Sequence, residues 1–548
     1  MSSGRRPVPV PCAVVALALA LALALLASAC GSSSSPTKAS TTASTKTYGG
    51  NLPANEGTPH DGGTLAWGLE AESDSLSPIT GRWALSAQMV GSAIFDPIAT
   101  LDASGRTVPY LASSFSHSPD NQTWTITLRS GITFQDGEPF DAAAVVLNID
   151  TYRTALITSK AWKPVTSVTA TGPLTVQVKV DQPWATFPNI FLGQNGYMEA
   201  PKMIADPHGG QHPIGTGPFI FREWVVNDHV TVVKNTHYWQ KGLPHLNEII
   251  FKPIPDAATR LEALRDGTVD AINEVTAQQV REIRADATLQ RLEYNRGEEL
   301  FVPLNTQVAP FDNIHARLAL AYATDTATFI KQLGDGIYTP ANGMFAPGQL
   351  GYTPNSGYPT YDLAKAKQEV AAYTAATGQP LAFTLLATTE IAYSTQDQLL
   401  QSMWQAAGAH VTLTTAAQAD QVLDVVLGKY QAADFRLFGQ PDPDADYYWW
   451  ASTSVGAAND VSLNMPRYAT PQTDAALQAG RATTDTVARS AAYQRFERLV
   501  NAGAPYIWLA RTDWVIASTP KVHGYALAGN GTIATLGPKT WVAGLWMN

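Results

Sequence analysis

Hydrophobic residues fall into three patterns along the chain. One is continuous: Val14 to Leu26 contains only Val, Ala and Leu, a run too short to cross a bilayer comfortably. A second alternates. In TWTITLRSG, Trp124, Ile126 and Leu128 take every other place, and in LTVQVKV so do Leu174, Val176, Val178 and Val180; that period gives a half-buried strand one apolar face. The third returns every three or four residues. Val145, Ile149, Tyr152 and Leu156 share one face of a predicted helix that Asp141 caps. DAATRLEALRDG predicts a helix opened by Asp256 and closed by Gly267. FDNIHARLALAYATD and YDLAKAKQEVAAYTAATG repeat the pattern, with Asp312 and Asp362 as caps and Gly378 as the terminator. Asp136-Gly137 marks a turn, and order is expected to begin near DGGTLAWGLEAES, at 61–73. Strands interspersed with helices over this length point to α/β lobes.

The continuous run is preceded by Arg5 and Arg6 and followed by Ala27-Ser28-Ala29-Cys30. A positive start, an apolar centre and small residues before a cut describe a signal segment. It resembles the bacterial lipoprotein signal, in which the cysteine receives a diacylglyceryl group and becomes the new N-terminus. Leu26 stands one place further from the cysteine than is usual there, so an ordinary secretory signal cut after Ala29 remains the alternative. Of the two cysteines, Cys12 lies within the segment that would be removed. The mature chain would then keep Cys30 alone and no internal disulfide. Two acyl chains there would hold the protein stably at a membrane surface. From Cys30 to about residue 60 the Ser, Thr, Gly and Pro cannot bury apolar surface, so this stretch is expected to be a flexible tether.

Length and charge narrow the rest. The chain has 548 residues, 45% of them hydrophobic, enough for several cores and more than one domain. Its net charge is −10, with no basic stripe for nucleic acid. The 14 Trp and 20 Tyr exceed what recognition requires, but each has an apolar body and a polar handle suited to it.

Six segments, in order, carry a resemblance. LASSFSHSPDNQTWTITLRSGITFQDGEPFDAAAVV is similar to the signature of the family 5 extracellular solute-binding proteins, the peptide- and nickel-binding components of ABC importers. PIGTGPFIFREW, LEALRDGTVDAI, LNTQVAPFDNIHARLALAYATD, GYPTYDLAKAKQEV and FRLFGQPDPDADYYWW follow in the family's sequence, over residues 62–548. The resemblance implies a periplasmic-binding-protein-like α/β fold of class C (type II): two lobes around a ligand cleft, with an extra domain. By analogy lobe I takes 60–96, 211–297 and 512–548, the extra domain 97–210, and lobe III 298–511. It also implies a monomer at the outer face of the cytoplasmic membrane, working with a permease and an ATPase. No cofactor is called for. Hinge closure around the solute would supply the signal the transporter reads.

The same resemblance places the ligand. Peptide-binding relatives anchor the α-ammonium with an acidic residue three places before an acid-Pro pair; aligning on Asp442-Pro443 puts Gly439 there. The usual anchor is therefore absent, with Asp442, Asp444 or Asp446 as possible substitutes, and room is left for a blocked peptide, an oligosaccharide or another small organic solute. Candidate ligand-binding residues are Phe438, Gly439, Gln440, Asp442 and Trp449 in this loop, with Arg436 just before it as a fork for a carboxylate or a structural ion pair. Trp83, Ser77 and Glu72 are the first-lobe candidates, and Phe345 and Tyr393 lie on loops that face the cleft in relatives. The bland reading of Asp442 is a turn or cap, and of Tyr447 to Trp450 a core.

Other chemistries find little support. Asp442-x-Asp444-x-Asp446 lacks the Gly and Glu of a calcium loop, having Tyr447 and Thr453 in those places. His208 and His212 are separated by Gly209-Gly210 and followed by Pro213, which deny them a helix. Neither a Gly-x-Ser-x-Gly elbow nor a His-Glu-x-x-His motif is present, so a hydrolase is remote.

Overall fold

The computed structural model describes residues 48–548, together with Met1, save 54, 103–104, 335, 390, 441, 458 and 526–540. The signal segment, Cys30 and the Ser/Thr-rich stretch to residue 47 lie outside the described residues, as do the side chains of Tyr393 and Phe438. The described residues from 48 onward belong to one compact unit.

A ten-stranded mixed sheet runs through the body. Its axis is two long antiparallel neighbours, Gln290–Pro303 and Tyr506–Ser518. Their pairing runs from Gln290↔Ser518 to Tyr294↔Trp514, slips, and resumes from Glu298↔Thr512 to Pro303↔Tyr506. On one side of the slip the neighbours are Ala271–Glu274 and, through it, the parallel strand Thr64–Leu69. On the other they are Phe435–Phe438 and Thr339–Pro340. Tyr506–Ser518 is buried at all but one position, as expected of a strand covered on both faces. The same two strands thus belong to two different packing environments joined at an irregular register.

Three further groups complete the body. A four-stranded antiparallel sheet is built from residues 112–128 and 165–180; Trp124, Ile126, Leu128, Val176, Val178 and Val180 fill its inner face, the alternation read from the sequence. A three-stranded parallel sheet pairs Ala382–Thr388 with His410–Ala416 and Ala432–Ala433. Helices Ile314–Ala323 and Leu363–Thr377 contribute to the core beside it.

Most helix ends follow local chemistry. Asp141, Asp256 and Asp362 accept hydrogen bonds from the third backbone N–H that follows, and Gly378 adopts the left-handed φ of 68° that favours glycine. Three expectations are corrected. The helix at 314 is capped by Asn313, which accepts from His315 N at 2.8 Å, not by Asp312. Leu156 is 65% exposed because the helix ends at Tyr152. The tether does not extend to residue 60: Tyr48–Gly50 pairs with Leu292–Tyr294, and Asn51 exchanges hydrogen bonds with Leu289 O and Arg291 N. A free strand edge takes up a polar segment there because main-chain pairing does not need apolar side chains. Among the described residues no helix is long and apolar enough to cross a membrane.

Candidate functional site

A cleft of about 1440 Å³, open mouth included, lies between chain segments distant in sequence. One wall comes from Glu70, Trp83 and Gln88, a second from residues near 157–161 and 192–195, and the third from Gln421, Asp434, Arg436, Gln440, Tyr448 and Trp449. Glu70 follows the carboxyl end of Thr64–Leu69, whose neighbours Glu248–Pro253 and Ala271–Glu274 run parallel to it. Ligands in open α/β sheets collect at such strand ends.

The floor holds an ion pair across the segments: Arg436 Nη2 donates to Glu70 Oε1 at 2.8 Å, and its guanidinium lies 5.5 Å from the Trp514 ring centroid. The rim is aromatic. Trp83 donates Nε1–H to Ser75 O at 2.9 Å and packs on Phe95 and Tyr197. Gly91 permits this, since a Cβ there would lie 2.3 Å from the indole. Tyr448 and Trp449 sit 5.1 Å apart, ring to ring.

Past Gln440 and Trp449 the cleft adjoins a smaller pocket of about 540 Å³, open mouth included, lined by Glu299, Phe345, Gly439, Asp446 and several large aromatic side chains. Glu299 accepts from Arg511, and burial still pushes its carboxyl up to about 7. Burial likewise holds the Asp446 carboxyl well above the usual range, with the Glu299 charge adding to the effect.

The three carboxylates of the DxDxD stretch diverge. Asp442 turns the chain, accepting from Asp444 N, and is held by Arg489 at 2.6 and 2.8 Å. Asp444 accepts from Arg481, Trp184 and Thr186, each at 2.6 Å. Only Asp446 lines the cleft and its pocket, accepting from Gln440 N at 2.6 Å. Among the described residues no group of three His, Cys, Asp or Glu is placed to hold a metal ion.

Of the predicted residues, the cleft brings together Trp83, Arg436, Gln440 and Trp449, and the pocket adds Phe345 and Gly439. Three are elsewhere. Asp442 is occupied by Arg489. Ser77 is buried and donates to Glu199 Oε1 at 2.5 Å, a carboxyl that burial raises to about 7. Glu72 accepts from Asn227 N at 2.6 Å and Ser73 N at 2.8 Å, and Glu70 takes the place expected of it. The strand end before Glu70 was a usable signal. Glu299 and Trp514 had none, because only the pairing of two distant strands puts them there.

Behind the cleft residue Asp434, Asp397 is 1% exposed, and neither of its carboxyl oxygens has a hydrogen-bond partner among the described residues. Burial, then the charge of Asp434, pushes it up to about 9. The folded chain therefore keeps a proton that the unfolded chain releases above its ordinary value of 3.8. Stability falls as pH rises from there through about 9. Asp397→Asn is expected to flatten that fall, matching the parent near pH 4 and exceeding it by about 5 kcal/mol at pH 8. Urea unfolding of both proteins at the two pH values checks this; equal stability at pH 8 would refute it.

The family described as bacterial extracellular solute-binding proteins, family 5, matches residues 106–459, more than half of the chain. The glutathione-binding protein GsiB of Salmonella typhimurium is 29% identical over 464 residues, 82% of this chain and 89% of that one. Among solved structures, the periplasmic binding protein DppA of Helicobacter pylori, in complex with the peptide STSA, superimposes with a TM-score of 0.79 at 22% identity, covering 89% of this chain and 98% of that one. AgaA of A. tumefaciens R10, in complex with agropinic acid, does so with a TM-score of 0.79 at 25% identity, covering 89% and 99%.

Proposed function

The chain belongs to the family 5 bacterial extracellular solute-binding proteins, and from that membership we propose that it captures short peptides outside the cell. It is the solute-binding component of an ABC importer and not an enzyme, with a two-lobed type II fold. The observation that carries the peptide reading is the makeup of the cleft. Arg436 with Glu70 supplies paired charge, Gln440 supplies a side-chain amide, and Trp83, Tyr448 and Trp449 supply aromatic walls. Amides can meet a peptide's alternating N–H and C=O groups, and aromatic faces tolerate varied side chains. The binding of glutathione by GsiB, and of a tetrapeptide by DppA, accords with this.

A second reading is a small organic acid or sugar–amino acid conjugate. It is favoured by Gly439, which removes the acidic side chain expected to anchor a free amine, and by agropinic acid in AgaA. An oligosaccharide belongs to the same reading.

We further propose that Cys30 carries a lipid anchor at the outer face of the cytoplasmic membrane, and that the chain acts as a monomer. Lobe I is read as 60–96, 211–297 and 512–548, the extra domain as 97–210 and lobe III as 298–511. The register slip between Tyr294 and Glu298 supports the boundary at 297. Loss of fatty-acid labelling in Cys30→Ser would agree with the anchor; unchanged labelling would refute it.

The solute is tested by thermal shift on the chain from Gly31 onward. The panel is di- and tripeptides, glutathione, N-blocked peptides, sugar–amino acid conjugates and oligosaccharides. A ligand of the folded state at a hundred times its Kd adds about 2.7 kcal/mol of stability, and a rise with peptides is expected. A rise with sugars or conjugates alone would overturn the peptide reading.

A further inference from the structure

Polar contacts cross the cleft at two depths. On the floor, the side chains of the Arg436–Glu70 pair are 14% and 9% exposed. A second contact lies nearer the surface. Arg82 Nη1 donates to Ala419 O at 3.0 Å, between residues 337 apart in sequence, and the Arg82 side chain is 23% exposed. Arg82 belongs to the wall of Glu70 and Trp83. Ala419 belongs to the helix Gln418–Val426, which lends Gln418, Gln421 and Val422 to the opposite wall.

Arg82 reaches across because its own loop aims it. Asp74 accepts from Arg82 Nε at 2.6 Å and from the Arg82 backbone N–H at 3.2 Å. One carboxylate thus fixes the backbone and the near edge of the guanidinium, so less freedom is lost when the far edge is bonded. The loop is itself fastened: Gln194 Nε2 donates to Pro78 O at 2.8 Å and to Gly81 O at 2.9 Å. The acceptor on the far side is a main-chain carbonyl in the first turn of a helix, held by the fold and not by a side-chain rotamer. Parting the walls by about 1 Å carries that carbonyl beyond hydrogen-bond reach, while Asp74 keeps Arg82 in place.

We propose that Arg82 is a latch on the mouth of the cleft, a positioning residue that holds the two walls together over a captured solute and sets how long the solute stays. Arg82 itself lines the cleft, so a solute lies beneath the contact and its release requires the contact to break. The role rests on solute capture by this cleft and holds for whichever solute is captured.

The test uses the chain from Gly31 onward, which contains no cysteine, with glutathione and trialanine as probes in stopped-flow binding. Arg82→Met keeps an unbranched side chain and removes its donors. Probe dissociation is expected to become about ten- to a hundredfold faster in it, with association changed by about twofold or less. Asp74→Ala should act in the same direction, and adding it to Arg82→Met should bring no further change. The urea midpoint should barely move, because the Arg82–Asp74 pair is partly exposed. Unchanged dissociation would overturn the proposal. So would a loss carried by association alone, which would make Arg82 a guide for entry, or a fall in stability large enough to account for the binding loss. If neither probe binds, the peptide reading fails and the latch is decided without solute. A label pair is then placed at Val226→Cys, tied to the Arg82 loop through Asn227 and Glu72, and at Thr414→Cys, on the strand before helix Gln418–Val426; both positions are exposed. Arg82→Met should move the distance between the labels toward longer values, and identical distance distributions would overturn the proposal.

Discussion

Asp444→Ala is expected to cost the fold about 3–5 kcal/mol, because it strands a buried guanidinium. Asp444 gathers Trp184 Nε1, Thr186 Oγ1 and Arg481 Nε, each at 2.6 Å. The Arg481 guanidinium is held between two rings, 3.8 Å from the Trp184 centroid and 3.4 Å from that of Tyr447, and its side chain is 5% exposed. Removing the carboxylate leaves that charge without its counter-ion, and leaves two further donors unanswered. Trp184 and Thr186 lie far in sequence from Asp444, so the loss also loosens the contact between those segments and the loop that carries Tyr448 and Trp449. Urea unfolding is the measurement: the midpoint should fall with little change in slope. Asp444→Leu combined with Arg481→Met should recover most of the loss, since replacing both partners with apolar groups removes the stranded charge. A single-variant loss below about 1 kcal/mol, the scale of an exposed pair, would contradict the account.

Arg511→Leu is the second large effect, also about 3–5 kcal/mol at neutral to alkaline pH. Arg511 supplies the counter-ion of Glu299 and donors for Gly343 O and Phe345 O, at 2.6 and 3.0 Å. The cost depends on pH, and its direction follows from linkage. Glu299 already has a folded value raised from 4.5 to about 7 by burial, and losing the guanidinium raises it further. A raised acid binds a proton in the folded state that the unfolded chain releases. The variant therefore loses stability as pH climbs from about 4.5 through the folded value. Its deficit relative to the parent should be smallest below about pH 7, where Glu299 keeps its proton in both folded proteins, and largest above pH 8. Arg511→Leu with Glu299→Gln should abolish the added pH dependence while keeping the loss of the two carbonyl contacts. Unfolding curves at pH 5 and pH 8 decide it, and a deficit equal at both would show that Glu299 is not the group left unpaired.

The local elements were legible because their causes are local. Trp124, Ile126 and Leu128 alternate on a strand; Asp141, Asp256 and Asp362 cap helices with their own side chains. Where two neighbours could do the same task, geometry chose: Asn313 caps in place of Asp312. The six ordered motifs likewise reached the family that matches residues 106–459. The site was legible only in part. Trp83, Arg436, Gln440 and Trp449 do meet at the cleft, whereas Glu72, Ser77 and Asp442 do not.

By itself the sequence determined the α/β class, the caps, the alternating strands and the aromatic loop, all set by interactions within a few residues. Tertiary structure alone decided which acid lines the cleft. Asp442, Asp444 and Asp446 stand two residues apart, and nothing between them says that Arg489 and Arg481 will claim the first two. The same holds for Glu299, which reaches the pocket because Gln290–Pro303 pairs with Tyr506–Ser518. A carboxylate's role is fixed by the charges and the burial around it, and those come from segments hundreds of residues away.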